Sequence, residues 1–421
     1  MIANRLTRLA AVVAGLALSI QLVPLWAGEA QAQGYESPPS LAAADVLPPE
    51  ILKGPHYTVQ QTVENDGVLN RYRVETPQGL LTVDSTDRLM IRLQEVEALQ
   101  RMEDVKRSEV FKEAFKASLK APVELAEGLV TAPVETVAQV GKGVGTFFSS
   151  VGHSLFGGAS EEEESAVETA VGYDVIKRQF AFQFGVDPYT HNELVQERLT
   201  ELSRAAFLGG LPTKVALAAI PGTATTVLRA TSFSEGMRKL LLEKSPAELK
   251  EINAAKLKDM QVEDSVAGLF LEHPHYSPSK KTYIVAALEQ MKGVAGRGEF
   301  IRQAALAPDE PMAFFLQQQA QAMAAYHLNV APVAVVIGFH NRAFMQRADG
   351  TLVGVFPVDH IVLRKITAQN ASGIGREIDQ SLGKVPRELW LTGTASPLFR
   401  ETLQAEGWQI TEKAKDRLTL P

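Results

Sequence analysis

Four polar residues that could do acid–base chemistry follow two predicted strands in the last quarter of the chain. His340 and Asn341 come directly after the β-rich run 333–339, and Asp359 and His360 follow the next strand-like run. Because α/β folds place their sites at the carboxyl ends of strands, His340, Asp359 and His360 are candidate catalytic residues. The same residue types also occur as ordinary turn and cap residues, and that alternative stays open.

A second chemical feature is the tetrapeptide at residues 272–275, which contains His273 and His275. In an extended chain, residues two apart point to one side, so both imidazoles could reach the same metal ion. The sequence supplies no third or fourth ligand by spacing, and Pro274 also explains the tetrapeptide as a helix end. We therefore predict no metal site and no cofactor. Nucleophile-elbow, phosphate-loop, His-Glu-x-x-His and calcium-loop motifs do not occur in the sequence either.

Residues 121–158 carry a long hydrophobic pattern and few charges. Their apolar residues recur at steps of three and four, which predicts one continuous stripe along a helix. Such a stripe has to be buried in the protein's own core, on a lipid surface or on a protein partner. The residues predicted to contact a membrane or a partner are Val130, Val134, Val137, Val144, Phe148, Val151 and Leu155.

The first residues have the composition of a signal peptide. Arg5 and Arg8 precede a short apolar core, and Ala30 and Ala32 provide the small-x-small pattern of a cleavage site. We expect cleavage near Ala32 and a periplasmic or extracellular location, with an uncleaved membrane anchor as the alternative. The chain has no cysteine, which favours bacterial export over a eukaryotic secretory route.

The formal net charge of −7 excludes the basic footprint of a nucleic-acid-binding protein. It also means that contact with an anionic membrane would depend on apolar burial rather than on charge. The hydrophobic fraction of 45% is typical of a globular chain, and not of a disordered one.

The hydrophobic periodicity predicts an α+β protein that is predominantly helical. We expect a small N-terminal β-meander with long amphipathic helices, a central helical domain and a C-terminal α/β region. The predicted segments are a signal peptide at 1–32, a flexible lead at 33–54, the meander and its helices at 55–158, an acidic linker at 159–170, the helical domain at 171–330 and the α/β domain at 331–421.

Local signals predict several element boundaries. Asp66-Gly67 predicts a hairpin after a strand at 57–63, and a helix is expected from about Ser85 to Lys120. Thr190 with Glu193 predicts a capping box. Further helices are predicted near 191–208, 233–243, 246–259, 262–271, 278–291 and 309–328, then at 359–382 with a break at 373–375, and a parallel β-α-β unit at 389–411.

The run 76–124, with Arg92-Leu93-Gln94-Glu95, Ser108-Glu109-Val110-Phe111 and Lys120-Ala-Pro-Val, resembles a family of uncharacterised secreted bacterial proteins. The run 184–190, Phe-Gly-Val-Asp-Pro-Tyr-Thr, adds to this resemblance. The resemblance covers about the middle third of the chain and implies no activity.

Two functions follow from these patterns. The first is an exported, non-enzymatic binding or scaffold protein of the bacterial envelope that docks on a membrane or a partner through residues 121–158. The second is an exported hydrolase with its site at the strand ends of the C-terminal α/β region. We favour the first, because the amphipathic segment is a positive signal whereas the hydrolase depends on scattered histidines.

Overall fold

The structure, a computed structural model, describes residues 34–119, 161–209 and 235–419, and for residues 161–171 and 235 it describes the backbone only. The predicted signal peptide and the apolar stripe at 121–158 lie outside these residues. The fold is α+β and predominantly helical, which confirms the predicted class. From Glu36 onward, the residues that the structure describes belong to one compact unit.

The N-terminal sheet is antiparallel and is organised around its long fifth strand. Its strands are β1 (Ser40–Ala42), β2 (Lys53–Gly54), β3 (Tyr57–Val59), β4 (Thr62–Asn65), β5 (Asn70–Thr76) and β6 (Gly79–Asp84). β5 pairs with β6 along one side, and with β3 and β4 along the other. An irregularity at Gln60 and Gln61 divides the predicted strand 57–63 into β3 and β4, while Asp66-Gly67 forms the expected turn before β5.

Residues from Ser40 to Gly54 are part of this sheet and its core, so the predicted flexible lead at 33–54 is wrong over most of its length. β1 pairs with β4, and two short helices follow it, α1 (Ala43–Val46) and α2 (Pro49–Leu52). The prolines do not loosen this segment, because Pro49 occupies the first turn of α2, where a missing N–H is tolerated. Leu47 and Ile51 are 4% exposed and pack in the core of the sheet.

The helix that follows the sheet is interrupted once. α3 (Thr86–Arg107) begins after Ser85, whose hydroxyl accepts a hydrogen bond from the Arg88 N–H at 3.2 Å. α4 (Glu109–Leu119) starts anew, although one helix to about Lys120 was predicted. The break lies at Ser108, whose side chain bonds the Val105 carbonyl and the Phe111 N–H in place of the regular helical pattern.

The central part of the described chain is helical. Its helices are α5 (Glu161–Phe184), α6 (Glu193–Gly209), α7 (Glu235–Glu243), α8 (Pro246–Asp259), α9 (Asp264–Leu271), α10 (Pro278–Gln290), α11 (Gly298–Ala304) and α12 (Glu310–Asn329). The acidic run that begins at Glu161 starts α5, so the predicted linker at 159–170 is wrong from there on. In the described part of the chain, no helix is long and apolar enough to cross a membrane.

The C-terminal sheet has the strand order β13-β11-β9-β8-β7. These strands are β7 (Val333–Phe339), β8 (Arg342–Arg347), β9 (Leu352–Phe356), β11 (Arg387–Leu391) and β13 (Trp408–Thr411), with β10 (His360–Ile361) and β12 (Thr394–Ala395) paired separately. β11 and β13 are parallel, and α14 (Pro397–Ala405) lies between them in the chain, as predicted. α12 packs against β9 and against α10.

α13 (Lys365–Leu382) is continuous, so the predicted break at 373–375 is wrong. The two glycines of this stretch lie where other side chains approach the helix. A Cβ added to Gly373 would lie 3.9 Å from the His340 ring, and one added to Gly375 would lie 3.8 Å from Arg387. Both distances are ordinary van der Waals contacts, so a Cβ would fit at either position and the neighbours do not require a glycine.

Candidate functional site

His340 and Asn341 form a tight turn. They are the two residues between β7 and β8, whose flanking residues Phe339 and Arg342 pair directly. Both have positive φ, 49° and 57°, which is the backbone of a type I′ hairpin turn. The His340 side chain is 62% exposed, and its Nδ1 lies 3.9 Å from the Glu377 carboxylate.

Asp359 joins the C-terminal part of the chain to the N-terminal sheet. Its carboxylate accepts hydrogen bonds from the backbone N–H of Asn70 at 2.9 Å and from that of Thr86 at 3.1 Å. Thr86 is the first residue of α3, so Asp359 places a carboxylate at the N-terminus of this helix. Burial raises the pKa of Asp359.

His360 has different partners. Its Nδ1 lies 2.7 Å from the Thr394 hydroxyl, between the paired strands β10 and β12, and its carbonyl accepts a hydrogen bond from the Asn65 amide. β7 and β9 run in the same direction, so His340 and Asp359 follow strands that end at one edge of the sheet. Over the described residues, however, no hydrogen bond or ion pair joins the side chains of His340, Asp359 and His360.

The His273 and His275 rings are near each other, with centroids 5.5 Å apart. The His275 N–H donates to His273 Nδ1 at 3.3 Å, so this nitrogen takes part in a local turn. Glu272 pairs with Lys250 instead of approaching the imidazoles. Among the residues that the structure describes, no three His, Cys, Asp or Glu side chains are grouped to hold a metal ion.

A cleft that is open to solvent lies between α3, the segment 185–191, α10 and α12. Its charged lining includes Arg88 and Arg92 from α3, Lys280 from α10 and Glu310 from α12. His191 also lines it. No sequence motif predicts a site at these residues.

Local helix geometry explains how these side chains reach the cleft. Arg88 and Arg92 are four residues apart on α3 and therefore share one face. Lys280 lies in the first turn of α10, after Ser277 as N-cap. Glu310 is the first residue of α12, and the preceding Asp309 caps that helix by accepting from the Met312 N–H at 2.8 Å.

The cations converge on Glu310. One carboxylate oxygen lies 3.0 Å from Arg88, and the other lies 2.8 Å from Lys280 and 3.9 Å from both Arg92 and His191 Nδ1. Burial raises the pKa of Glu310, but the hydrogen bond and charge of Lys280, together with the two arginines, outweigh this and lower the pKa to about 2. Glu310 is therefore ionised at neutral pH.

Glu95, which is 2% exposed, fixes one wall of the cleft. Its carboxylate accepts hydrogen bonds from Arg92 at 2.5 Å, from the Thr190 hydroxyl at 2.6 Å and from the Asn192 amide at 2.8 Å. These bonds tie the segment around His191 to α3. The predicted capping box at Thr190 does not form, because the helix begins at Glu193 and the Val195 N–H donates to Asn192 Oδ1 at 3.5 Å.

Asp187 fixes the other end of the same segment. Its carboxylate accepts from the Ser279 hydroxyl at 2.5 Å and from the Tyr189 N–H at 2.9 Å, which ties the segment to α10. Burial raises the pKa of Asp187 and so favours its protonated form. The turn at 187–190 thus forms part of the cleft wall.

One sequence signal could have pointed to this site. Arg88, Arg92 and Glu95 recur at helical spacing directly beside the buried residues Leu89, Leu93 and Val96 of α3. A charged stripe that follows an apolar stripe so closely lies at the edge of a buried face, where charges need partners. Lys280 and Glu310 gave no such signal, because their roles depend on contacts with α3.

Comparison with protein-family models, with curated proteins and with solved structures finds no match to this chain.

Proposed function

We propose that this protein is an exported, non-enzymatic binding protein that holds a small anionic molecule in the cleft between α3, α10 and α12. The observation that carries this proposal is the convergence of Arg88, Arg92 and Lys280, each 14–16% exposed, on one open cleft. Export is inferred from the composition of residues 1–32. Docking of residues 121–158 on a membrane or a protein partner belongs to the same proposal and rests on their apolar stripe.

Shielded cations make a cleft attractive for an acid for two reasons. Electrostatic attraction is stronger where water is partly excluded, so an anion gains more here than at an exposed lysine. Guanidinium groups also offer several N–H donors in one plane, which match the oxygens of a carboxylate or a phosphate. Glu310 and Glu95 use some of these donors and hold the arginines in position.

Binding also requires that the cations are already in place. Arg92 is held between Glu95 and Glu310, and Lys280 donates to Glu310 from the first turn of α10. A ligand therefore does not bear the entropic cost of ordering these long side chains. Binding is the function that this geometry supports best, because a preorganised group of cations needs no further residue to retain an acid.

Replacing Lys280 by Gln should weaken the binding of small acids about tenfold, the loss that corresponds to one charge-assisted hydrogen bond. The measurement is isothermal titration calorimetry with 3-phenylpropionate, succinate and inorganic phosphate. Arg107→Gln is the matched control, because Arg107 is 73% exposed at the end of α3 and should leave affinity unchanged. If none of the three acids binds, or if both variants lose affinity equally, the proposal is wrong.

Binding should also tighten as the pH falls from neutral toward the pKa of His191. Burial lowers the pKa of His191, as do Lys280, Arg92 and His275, whereas Glu310 raises it. A bound anion would raise the pKa of His191, so the complex takes up a proton and is favoured by acid. Benzenesulfonate is a suitable probe because it stays ionised between pH 5 and pH 8.

In that titration, His191→Gln should give an affinity that does not change over the same pH range. A wild-type affinity that is flat with pH, or a slope that persists in the variant, would show that His191 does not face the bound anion.

A further inference from the structure

We propose that the protein forms a twofold-symmetric dimer in which strand β6 of one chain pairs with β6 of a second copy. The dimer concerns the N-terminal sheet and is independent of the ligand of the cleft. Three features support it: the free edge of β6, the direction of its backbone groups and the residue types along it.

β6 is the outermost strand on its side of the N-terminal sheet. It pairs with β5 from Gly79 to Asp84, and no strand among the residues that the structure describes lies on its other edge. α3 contacts both β5 and β6, and Val83 is buried on that face. Leu80 is 60% exposed and Thr82 is exposed as well, so neither residue is covered by a described element.

Alternate residues of β6 direct their backbone groups to this free edge. The Ser85 N–H donates to the Asn70 carbonyl at 2.8 Å, which places residue 85 on the bonded side of the ladder with β5. In an antiparallel ladder, bonded and non-bonded pairs alternate. The N–H and C=O groups of Leu80, Thr82 and Asp84 therefore point away from β5. Over the described residues, these groups make no hydrogen bond.

The other sheet edges in the described part of the chain are short or covered. β1, β2 and β13 have three, two and four residues. Along β7, the Val336 N–H donates to the Ala295 carbonyl at 2.9 Å and the Ala295 N–H donates to the Ala334 carbonyl at 3.0 Å, so the segment before α11 covers this edge. Short and covered edges keep sheets from associating. β6 has six residues, a regular register, no proline and no lysine, and thus none of this protection.

The outward backbone groups of β6 match a second copy of the same strand. A twofold axis makes the two strands antiparallel, and an axis at Thr82 places Leu80 opposite Asp84 of the second copy. All outward N–H and C=O groups of both strands are then paired, whereas a shifted register leaves some of them unpaired. Thr82 meets its own copy in this register. It carries no charge, and cross-strand threonine pairs are favourable.

The side chains on both faces of β6 agree with this register. On the core face, Leu81 lies opposite Val83 of the second copy, so the apolar row of the sheet continues across the axis. On the other face, Asp84 meets Leu80 and is already paired with Arg71 at 2.6 Å. No like charges therefore lie directly opposite each other. This self-complementarity favours a second copy over an unrelated strand as the occupant of the edge.

The first test is sedimentation velocity of the full chain over a range of concentrations. One pair of short strands buries less surface than a standard interface, so we expect a dissociation constant of roughly 1–100 μM. Thr82→Glu and Thr82→Lys each place two like charges at the axis and should weaken the dimer about fivefold. An equal mixture of the two variants should recover it, because opposite charges then meet. Thr62→Lys, at an exposed position of β4, is the matched control and should leave the dissociation constant unchanged.

The second test uses the absence of cysteine from the chain. The Cα atoms of two directly opposed, hydrogen-bonded residues are about 5.5 Å apart, which a disulfide can span. Thr82→Cys should therefore give a disulfide-linked dimer on mild oxidation. Thr62→Cys, which is exposed but distant from the axis in the proposed register, should give much less.

Circular dichroism shows whether each variant is folded. If the full chain stays monomeric up to about 200 μM, the edge is free or has another occupant, either a segment of this chain outside the described residues or a strand of another protein, and the proposed dimer is wrong. A dimer that resists both charged substitutions uses another surface and also contradicts it. If two folded variants do not recover dimerisation when mixed, or if Thr82→Cys links no better than Thr62→Cys, Thr82 does not lie at the axis.

Discussion

Replacing Glu95 by Ala is expected to lower the free energy of unfolding by about 4 kcal/mol, the usual cost of removing one partner from a buried ion pair. The substitution leaves Arg92 with Glu310, whose nearest oxygen is 3.9 Å away. Thr190 and Asn192 lose their acceptor at the same time. Urea denaturation followed by circular dichroism would measure the change.

Asp104→Ala is the matched control for this experiment. Asp104 lies on the same helix, is 46% exposed and pairs with the exposed Arg107, so its loss should change the free energy of unfolding by less than about 0.5 kcal/mol. A Glu95→Ala loss as small as that of the control would mean that Glu95 is solvated in the folded protein and does not hold the cleft wall.

Asp359→Ala should lower the free energy of unfolding by about 3 kcal/mol. The carboxylate accepts from the backbone N–H groups of Asn70 and Thr86, and a buried N–H without an acceptor costs about 1–3 kcal/mol. The loss of a negative charge at the start of α3 adds to this cost. The measurement is again urea denaturation.

Asp359→Asn separates the two contributions. Asparagine can accept from one of the two N–H groups but presents an amide to the other, so we expect a loss between those of the alanine variant and the wild-type protein. Asp416→Ala, an exposed residue, should have little effect. If Asp359→Ala is as stable as wild type but abolishes an enzymatic activity, the catalytic hypothesis for Asp359 would be supported over its structural role.

Many elements were predictable because the residues that form them are close in sequence. The helices predicted near 246–259 and 278–291 are α8 and α10, where Ser245 and Ser277 each precede a proline and cap the helix. The run 333–339 forms β7, and Asp66-Gly67 forms a turn before β5, since β-propensity and turn chemistry are local as well. The helix break at Ser108 was missed because side-chain hydrogen bonds decide it, and the continuous α13 was missed because this helix tolerates Gly373 and Gly375 in its interior.

The candidate catalytic residues at the strand ends could be placed from local sequence, but their contacts could not. The strand-like runs predicted that His340 and Asp359 follow strands, and in the structure they follow β7 and β9. The partners of each residue depend on the tertiary structure: Asp359 binds backbone groups nearly 300 positions earlier in the chain, and His340 occupies a hairpin turn. Strand ends bring residues to the same edge of a sheet, but do not by themselves bring their side chains into contact.

The sequence by itself therefore determined the fold class, the absence of cysteine, the net charge and most helix starts, because composition, periodicity and capping act over a few residues. The cleft was decided by the tertiary structure alone. Arg88 and Arg92 meet Lys280 and Glu310 across about 200 residues of chain, and burial converts these ordinary charges into a preorganised group. Such long-range contacts follow from how the helices pack, which no local pattern in the sequence records.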